Sequence, residues 1–325
     1  MPVKRYYNYG MNTSILYSGI MTTYACSAGC AHCLYCSSPR AKSGFMTAET
    51  ANDIAETLRG LGVRSMHIGG GEPFLNVGSL MATVGAMAEN GLDVDYIETN
   101  AFWYRDDASA AEIIRRLNAP IMVSVDPFHA EFVAPEKPLA LARLMDEMRW
   151  PHFIWQEKFI RRLIPLCRGR KLTRAELALG LGEDYIATTA RSYGLSVNGR
   201  ALNIARGIYP ARPAEEFLDG EGCGLTRGMH CHVDLYGNYI PPSCPGLAVN
   251  IHDLKIINPE KYPVFTRLDR GGISALWDYA REHGFVPDPG GYVTKCDLCV
   301  KIRGWLLKNF PSPDIGPKCF YDLMD

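Results

Sequence analysis

Short apolar runs alternate with amphipathic segments through the first 126 residues of the chain. The apolar runs end in glycine or polar turn residues, which is typical of buried strands. Between them, apolar side chains recur every three or four positions, the spacing that places them on one face of a helix. The pattern predicts strands at 15–24, 64–68, 94–98 and 121–125, and helices that start after Thr47, at Val77 and at Asp107.

This alternation predicts a parallel sheet, because strand–helix–strand units with short connections form right-handed crossovers. Gly70-Gly71-Glu72 follows the second predicted strand, Asn100 follows the third, and Ser124 to Asp126 end the fourth. The carboxyl edge of the strands carries the active site in barrels and in open α/β sheets alike. We therefore expect these residues to lie at one site, although each also has a structural role available as a turn-former or helix cap.

The second half of the chain is less regular. Residues 138–195 are mostly helical by pattern, and 195–198 are the predicted sixth strand. A stretch rich in proline and acidic residues, 211–222, predicts a boundary between a domain of residues 1–210 and a smaller α+β domain of residues 211–325.

Within the predicted second domain, 233–236 and 239–240 flank Gly237-Asn238, a dipeptide that favours the turn of a β-hairpin. Two later segments, 273–283 and 301–309, are predicted helices.

Charge and cysteine usage narrow the class of protein. The net charge of −1 over 325 residues provides no field for nucleic acid or an anionic membrane, so neither is an expected partner. The first residues lack a signal-peptide pattern, and no apolar run approaches the ~18 residues of a membrane span, so we expect a cytoplasmic protein. Thiols stay reduced there, and the 11 cysteines therefore indicate metal ligation more than disulfides.

Three of these cysteines lie close together in Cys26-Ser-Ala-Gly-Cys30-Ala-His-Cys33, directly after the first predicted strand. Thiolates at this spacing suit a soft metal or an iron–sulfur cluster. A four-iron, four-sulfur (4Fe–4S) cluster with three cysteine ligands keeps one iron open for a substrate or cofactor. Zinc is the alternative, since Cys30-x2-Cys33-x2-Cys36 and Cys296-x2-Cys299 contain short-spaced cysteine pairs.

The C-x3-C-x2-C spacing resembles that of the radical SAM superfamily, and the later motifs follow in the superfamily's order over residues 15–307. The resemblance implies a partial (β/α)6 TIM-type barrel in which Cys26, Cys30 and Cys33 hold a 4Fe–4S cluster. It also implies that reductive cleavage of S-adenosylmethionine (SAM) yields a 5′-deoxyadenosyl radical that takes hydrogen from a substrate. The SAM-binding residues that it implies are His32, Gly70, Gly71, Glu72, Asn100, Ser124 and Asp126.

The C-terminal cysteines resemble those of the SPASM/twitch extension, a small domain that binds an auxiliary 4Fe–4S cluster. This resemblance implies one auxiliary cluster, and its ligands would be Cys223, Cys244, Cys296 and Cys299. Cys231 is an alternative first ligand, because the hairpin is longer than usual. A structural zinc site is the alternative to a cluster.

The layout further resembles radical SAM peptide epimerases with a twitch-type C-terminus, which implies a peptide substrate and a modification such as epimerisation or crosslinking. A small-molecule dehydrogenase or rearrangement enzyme is the alternative within the class, and a zinc-stabilised binding protein is the alternative outside it. The spare thiols that could return a hydrogen atom are Cys36, Cys231 and Cys319. An electron donor such as flavodoxin or ferredoxin is the expected protein partner.

Overall fold

The computed structural model describes residues 15, 17–194, 197–227 and 230–324. An eight-stranded sheet forms its centre, in the order β5-β4-β3-β2-β1-β6-β7-β8. The strands are β1 (Tyr17–Met21), β2 (Ser65–Gly69), β3 (Asp93–Thr99), β4 (Ile121–Ser124), β5 (His152–Trp155), β6 (His230–Asp234), β7 (Asn238–Ile240) and β8 (Val249–Asn250). The first six strands pair in parallel and the last two in antiparallel fashion. The sheet does not close, so the expected partial (β/α)6 barrel is confirmed.

Helices connect the parallel strands, and three further helices follow the last strand. The connecting helices are α1 (Ala48–Gly60), α2 (Val77–Glu89), α3 (Asp107–Leu117), α4 (Pro127–Ala130), α5 (Glu136–Met148), α6 (Ile160–Leu163), α7 (Arg174–Leu181), α8 (Tyr185–Tyr193) and α9 (Ala201–Arg206), and those after β8 are α10 (Pro263–Glu282), α11 (Lys295–Asn309) and α12 (Lys318–Asp322). Five short 3-10 turns lie at Pro73–Asn76, Glu157–Phe159, Ile164–Leu166, Ala214–Phe217 and Ile251–Asp253. In the part of the chain that is described, no helix combines the length and apolarity needed to cross a bilayer.

The local sequence accounts for the first helices. Thr47 caps α1 by accepting a hydrogen bond from the N–H of Thr50, as the pattern predicts. Asp106 caps α3 in the same way, and the basic residues in the last turn of α3 suit the negative end of its dipole. Ile54 and Leu58 bury the apolar stripe of α1 in the main core.

Successive side chains of β2 point alternately into the apolar core and into the interior of the open barrel. Met66 and Ile68 are fully buried among apolar side chains, and His67 between them points to the opposite face. The interior of the barrel is therefore lined by polar and aromatic side chains close to the carboxyl edge. This edge is where the strand-end residues meet.

The strands differ from prediction in the second half of the chain. β5 was not located from the sequence because its apolar residues Phe153 and Trp155 are exposed, so no buried run marks it. The prediction of a sixth strand at 195–198 is wrong: Val197 and Asn198 lie in a loop, and residues 195–196 lie outside the described part. The strand that pairs with β1 in the sixth position is β6.

The predicted hairpin is confirmed, with β6 and β7 pairing in antiparallel register around a turn that contains Gly237. Because β6 also pairs with β1, the sheet runs across the predicted boundary at residues 210–211. The division into two domains stays a prediction.

Candidate active site

A cavity of about 410 Å³ lies at the carboxyl edge of the parallel strands. It brings together the three cysteines of the 26–33 loop and, from three different strand ends, most of the residues expected to bind SAM. The predicted residues that line it are Cys26, Cys30, His32, Cys33, Gly70, Gly71, Glu72, Asn100 and Ser124. Asp126 is buried behind the cavity wall and does not line it.

The three cysteines of the 26–33 loop line the same cavity. Cys26 and Cys30 are buried and Cys33 is half-buried. The sulfur of Cys26 accepts hydrogen bonds from the N–H of Ala28 at 3.4 Å and from Asn100 Nδ2 at 3.7 Å. Cysteine thiolates with hydrogen bonds to their sulfurs are the ligands of iron–sulfur clusters, so this donor set fits a 4Fe–4S cluster.

Arg200 holds this loop from the far side of the barrel. Its Nη1 donates to the carbonyl of Cys30 at 2.8 Å, and its Nη2 donates to the carbonyls of Cys36 at 2.6 Å and Ser37 at 2.9 Å. The N–H of Arg200 also donates to the carbonyl of Cys33 at 3.0 Å. Sequence reasoning missed this residue, because no local pattern connects it with a loop so far back in the chain.

The glycine turn after β2 docks against the segment that leads into Cys26. The N–H of Gly71 donates to the Thr23 carbonyl at 2.8 Å, and that of Glu72 donates to the Ala25 carbonyl at 3.0 Å. A Cβ on Gly71 would lie 1.9 Å from the Ala25 carbonyl oxygen, and Gly70 has a φ of +123°. Both positions therefore require glycine for the turn to reach the cavity.

Glu72 links this turn to the end of β3. Its carboxylate accepts hydrogen bonds from the N–H of Asn100 at 2.8 Å and from Thr99 Oγ1 at 3.0 Å, as well as from the N–H of Phe74 at 3.2 Å. Burial raises the pKa of Glu72 to about 7, although these hydrogen bonds oppose the shift. The carboxylate is thus positioned at the cavity by two strand ends.

A second polar cluster stands behind Cys30. Asp126 caps α4 through the N–H groups of Phe128 and His129, and its other oxygen contacts the His129 ring and the Tyr193 hydroxyl. Burial lowers the pKa of His129, but Asp126 and the adjacent Cys30 outweigh it and hold the pKa well above the ordinary value. The His32 ring stacks on Phe128 at 4.8 Å, and burial lowers its pKa to about 4. A direct contact between Asp126 and SAM stays a prediction.

The family model of the radical SAM superfamily matches residues 20–150, the stretch that contains the cysteine loop, the glycine turn and the strand ends. Residues 20–150 are a radical SAM domain. This match favours a radical SAM enzyme over the zinc-stabilised binding protein.

Solved structures of similar fold include native anSMEcpe with bound AdoMet, at 14% identity over 91% of this chain and 97% of that chain, with a TM-score of 0.46. Streptococcus suis SuiB bound to S-adenosylmethionine matches at 14% identity over 87% of this chain and 77% of that chain, with a TM-score of 0.48. BtrN in complex with AdoMet and 2-DOIA matches at 14% identity over 81% of this chain and 90% of that chain, with a TM-score of 0.40. No curated protein matches the chain.

Four cysteines outside the radical SAM domain meet at a second place. Cys223, Cys244 and Cys299 are close enough to influence one another's ionisation, and Cys296 is adjacent to them. Cys231, the alternative first ligand, lies apart on β6, with its sulfur 3.6 Å from Ser18 Oγ. The structure therefore brings together the set that contains Cys223.

A buried arginine accompanies these four thiols. Arg303 is 0% exposed, and its guanidinium lies beside Cys299 and Cys244. Its Nη1 donates to the Pro245 carbonyl and to the Tyr321 hydroxyl, whereas Nε and Nη2 find no hydrogen-bond partner among the described residues. Buried donors of this kind need an acceptor, which the sulfides of a bound cluster would provide.

The remaining walls of the active-site cavity carry side chains that sequence reasoning did not single out. They are mainly aromatic or apolar, with one carboxylate: Tyr35, Tyr96, Glu98, Met122, Trp155 and Tyr193. The spare thiols that could return a hydrogen atom do not reach this cavity. Cys36 and Cys231 are fully buried and Cys319 is half-buried, and none of the three lines the cavity.

Proposed function

We propose that this radical SAM enzyme cleaves SAM reductively and abstracts a hydrogen atom from a peptide. The observation that carries the proposal is the convergence of Cys26, Cys30 and Cys33 with the Gly70–Glu72 turn in one cavity. Cys26, Cys30 and Cys33 would hold a 4Fe–4S cluster, which when bound would supply one electron for the reductive cleavage of SAM to methionine and a 5′-deoxyadenosyl radical. The flavodoxin or ferredoxin expected as donor belongs to this proposal.

Each side chain at the cavity has a distinct task under this proposal. Gly70 and Gly71 allow the backbone to approach the methionine part of SAM, and the Glu72 carboxylate pairs with its ammonium group. His32 provides a flat ring beside the cysteine loop for the adenine. His129, charged through its contact with Asp126, donates a hydrogen bond toward the Cys30 sulfur.

The cavity walls protect reactive species from solvent. Tyr35, Met122 and Trp155 contribute apolar surface to the same cavity as the cysteine loop. Excluding water from such a site prevents side reactions of reactive intermediates.

The peptide part of the proposal is supported by the edge strand β5. In the described structure β5 pairs only with β4, so its other edge keeps free backbone groups. Phe153 and Trp155 on this strand are 42% and 46% exposed, and Trp155 also lines the cavity. An extended peptide can add to such an edge through main-chain hydrogen bonds. A small-molecule substrate is the alternative.

The cleavage chemistry is tested on anaerobically reconstituted protein with SAM and dithionite, with 5′-deoxyadenosine and iron per chain as readouts. Wild type is expected to form 5′-deoxyadenosine and to hold about eight irons, as two 4Fe–4S clusters require. Cys26→Ser, Cys30→Ser and Cys33→Ser should each abolish the product and lower the iron to about four. The control Cys167→Ser, at a half-buried cysteine remote from both sites, should match wild type. A triple variant that still cleaved SAM would refute the ligand assignment.

The substrate class is tested with synthetic peptides translated from short reading frames beside the gene. A matching peptide should raise the rate of 5′-deoxyadenosine formation and emerge with a changed mass or with deuterium from D2O. Phe153→Arg, on the exposed edge, should reduce the peptide's effect while sparing uncoupled SAM cleavage. If only the low-molecular-weight fraction of a cell extract stimulated cleavage, the small-molecule alternative would replace the peptide.

A further inference from the structure

Three histidine rings converge inside the open barrel, apart from both groups of cysteines. His67 comes from β2, and His230 and His232 come from β6, on either side of β1. One ring nitrogen from each lies within 4.8 Å of the other two. His67 Nε2 and His232 Nε2 are 3.0 Å apart.

Gly19 on β1 makes this approach possible. A Cβ at this position would lie 2.5 Å from His67 Nε2 and 2.6 Å from His232 Nε2. Any larger residue would therefore push the two rings apart. The central strand leaves a space beneath the pair of nitrogens.

Hydrogen bonding explains only part of the arrangement. One N–H···N bond satisfies the facing nitrogens of His67 and His232, but His230 Nδ1 is buried without a hydrogen-bond partner among the described residues. Glu98 Oε1 lies 3.6 Å from His67 Nε2, which is too long for a hydrogen bond. Hydrogen bonds between described residues therefore do not explain why the three rings converge.

Aromatic neighbours hold the three rings in place. Tyr96 stacks on His67 at 5.1 Å between ring centres, Tyr17 packs on His230 at 4.7 Å, and Tyr35 packs on His232 at 5.3 Å. This packing restricts how the three rings can turn.

We propose that His67, His230 and His232 bind a divalent cation of the zinc class and leave its fourth position open. Three imidazoles with one open position form the tetrahedral arrangement of a catalytic zinc site, with bonds of about 2.0–2.1 Å. Tetrahedral bonds of that length separate the donor atoms by about 3.3 Å, close to the 3.0 Å between His67 Nε2 and His232 Nε2.

The cation would lie at the wall of the active-site cavity. Glu98, Tyr35 and Tyr96 all line that cavity and all contact the histidine rings. An open fourth position would place a Lewis acid where an oxygen atom of the substrate can bind. The site itself does not depend on SAM cleavage, because its ligands are separate from the cysteine loop.

The test is zinc binding by the full chain with its clusters reconstituted, so that the cysteines are already occupied. After anaerobic titration with Zn²⁺ and desalting, wild type should retain one zinc per chain. His67→Gln, His232→Gln and Gly19→Ala should each weaken binding at least tenfold. His252→Gln is the matched control, since this exposed histidine pairs with Asp53 and lies elsewhere. Iron content and SAM cleavage report separately whether each variant is folded and whether the proposed function holds.

X-ray absorption at the zinc edge provides a measurement on wild type alone. The expected first shell contains only nitrogen and oxygen at about 2.0–2.1 Å, with the outer-shell scattering of imidazole. A sulfur shell, no retained zinc in wild type, or equal retention by folded His67→Gln and wild type would each overturn the proposal.

Discussion

Arg200 Nη1 lies 2.8 Å from the carbonyl oxygen of Cys30, and the two residues are 170 positions apart in the chain. The same guanidinium donates to two further carbonyls of the cysteine loop. The loop in which three cysteines converge is thus held in shape by a residue beyond the radical SAM domain. Backbone carbonyls that point inward to one guanidinium leave the cysteine side chains free to point toward the cavity.

Replacing Arg200 should loosen this loop. Arg200→Gln removes most of the donors to the three carbonyls, so we expect unfolding free energy to fall by about 1–3 kcal/mol and cluster iron to be lost faster to a chelator. Arg200→Lys should lose less stability and less iron than Arg200→Gln, because the lysine keeps a positive charge and hydrogen-bond donors. Arg168→Gln is the control, because Arg168 also donates to backbone carbonyls but on the surface. Unchanged iron release in Arg200→Gln would show that the loop is stable without it.

Two glycines should respond in opposite ways to the same substitution. Gly71→Ala places a methyl group 1.9 Å from the Ala25 carbonyl oxygen, so the turn must move away from the cysteine loop. We expect loss of SAM binding and a lower melting temperature. Gly85→Ala has open space and lies within α2, where alanine should stabilise by about 0.5–1 kcal/mol. Calorimetric melting and SAM titration compare the two, and a Gly71→Ala protein with normal SAM affinity would contradict the role of the turn.

Glu72→Gln tests the anchor of the turn. The amide retains one oxygen acceptor, but its NH₂ group replaces an oxygen that accepts from Thr99, Phe74 or Asn100. The charge that pairs with the ammonium of SAM is also lost, so the dissociation constant for SAM should rise at least about tenfold, or about 1.4 kcal/mol. Asp95→Asn, on the exposed part of β3, should leave it unchanged. Equal SAM affinity in calorimetric titrations of Glu72→Gln and wild type would exclude the proposed ammonium contact.

Arg303 should control the reduction potential of the proposed auxiliary cluster. Its buried positive charge favours the more negative, reduced state, so Arg303→Met should lower the potential by at least about 60 mV, which is about 1.4 kcal/mol for one electron. The reduction potential of the cluster in Arg303→Lys should lie between those in wild type and in Arg303→Met. Redox titration followed by electron paramagnetic resonance measures this, with the potential of the N-terminal cluster as internal control. An equal shift of both clusters would point to a general structural change.

Local sequence patterns were sufficient for much of the fold and the site. Thr47, Asp107 and the apolar stripes located the first helices because capping and helical periodicity act within a few residues. The cysteine loop and the Gly70–Glu72 turn could also be recognised from the sequence, because each is a short segment with an unusual composition. These motifs also predicted the edge of the sheet at which they meet.

Long-range pairing explains what could not be predicted. β5 has exposed apolar residues and is a strand only because β4 provides its hydrogen bonds. β6 looked like the start of a separate hairpin, and only its register with β1 shows that it extends the barrel.

The sequence by itself determined the parallel α/β architecture, the cysteine loop and the turn that accompanies it, because their signals lie in neighbouring residues. Only the tertiary structure showed that Cys223 lies near Cys244, Cys296 and Cys299 while Cys231 lies apart on β6, that Arg200 holds the loop, and that His67 faces His232. These are contacts between side chains far apart in the chain. Which of them form depends on how strands and helices pack, and no local pattern records that.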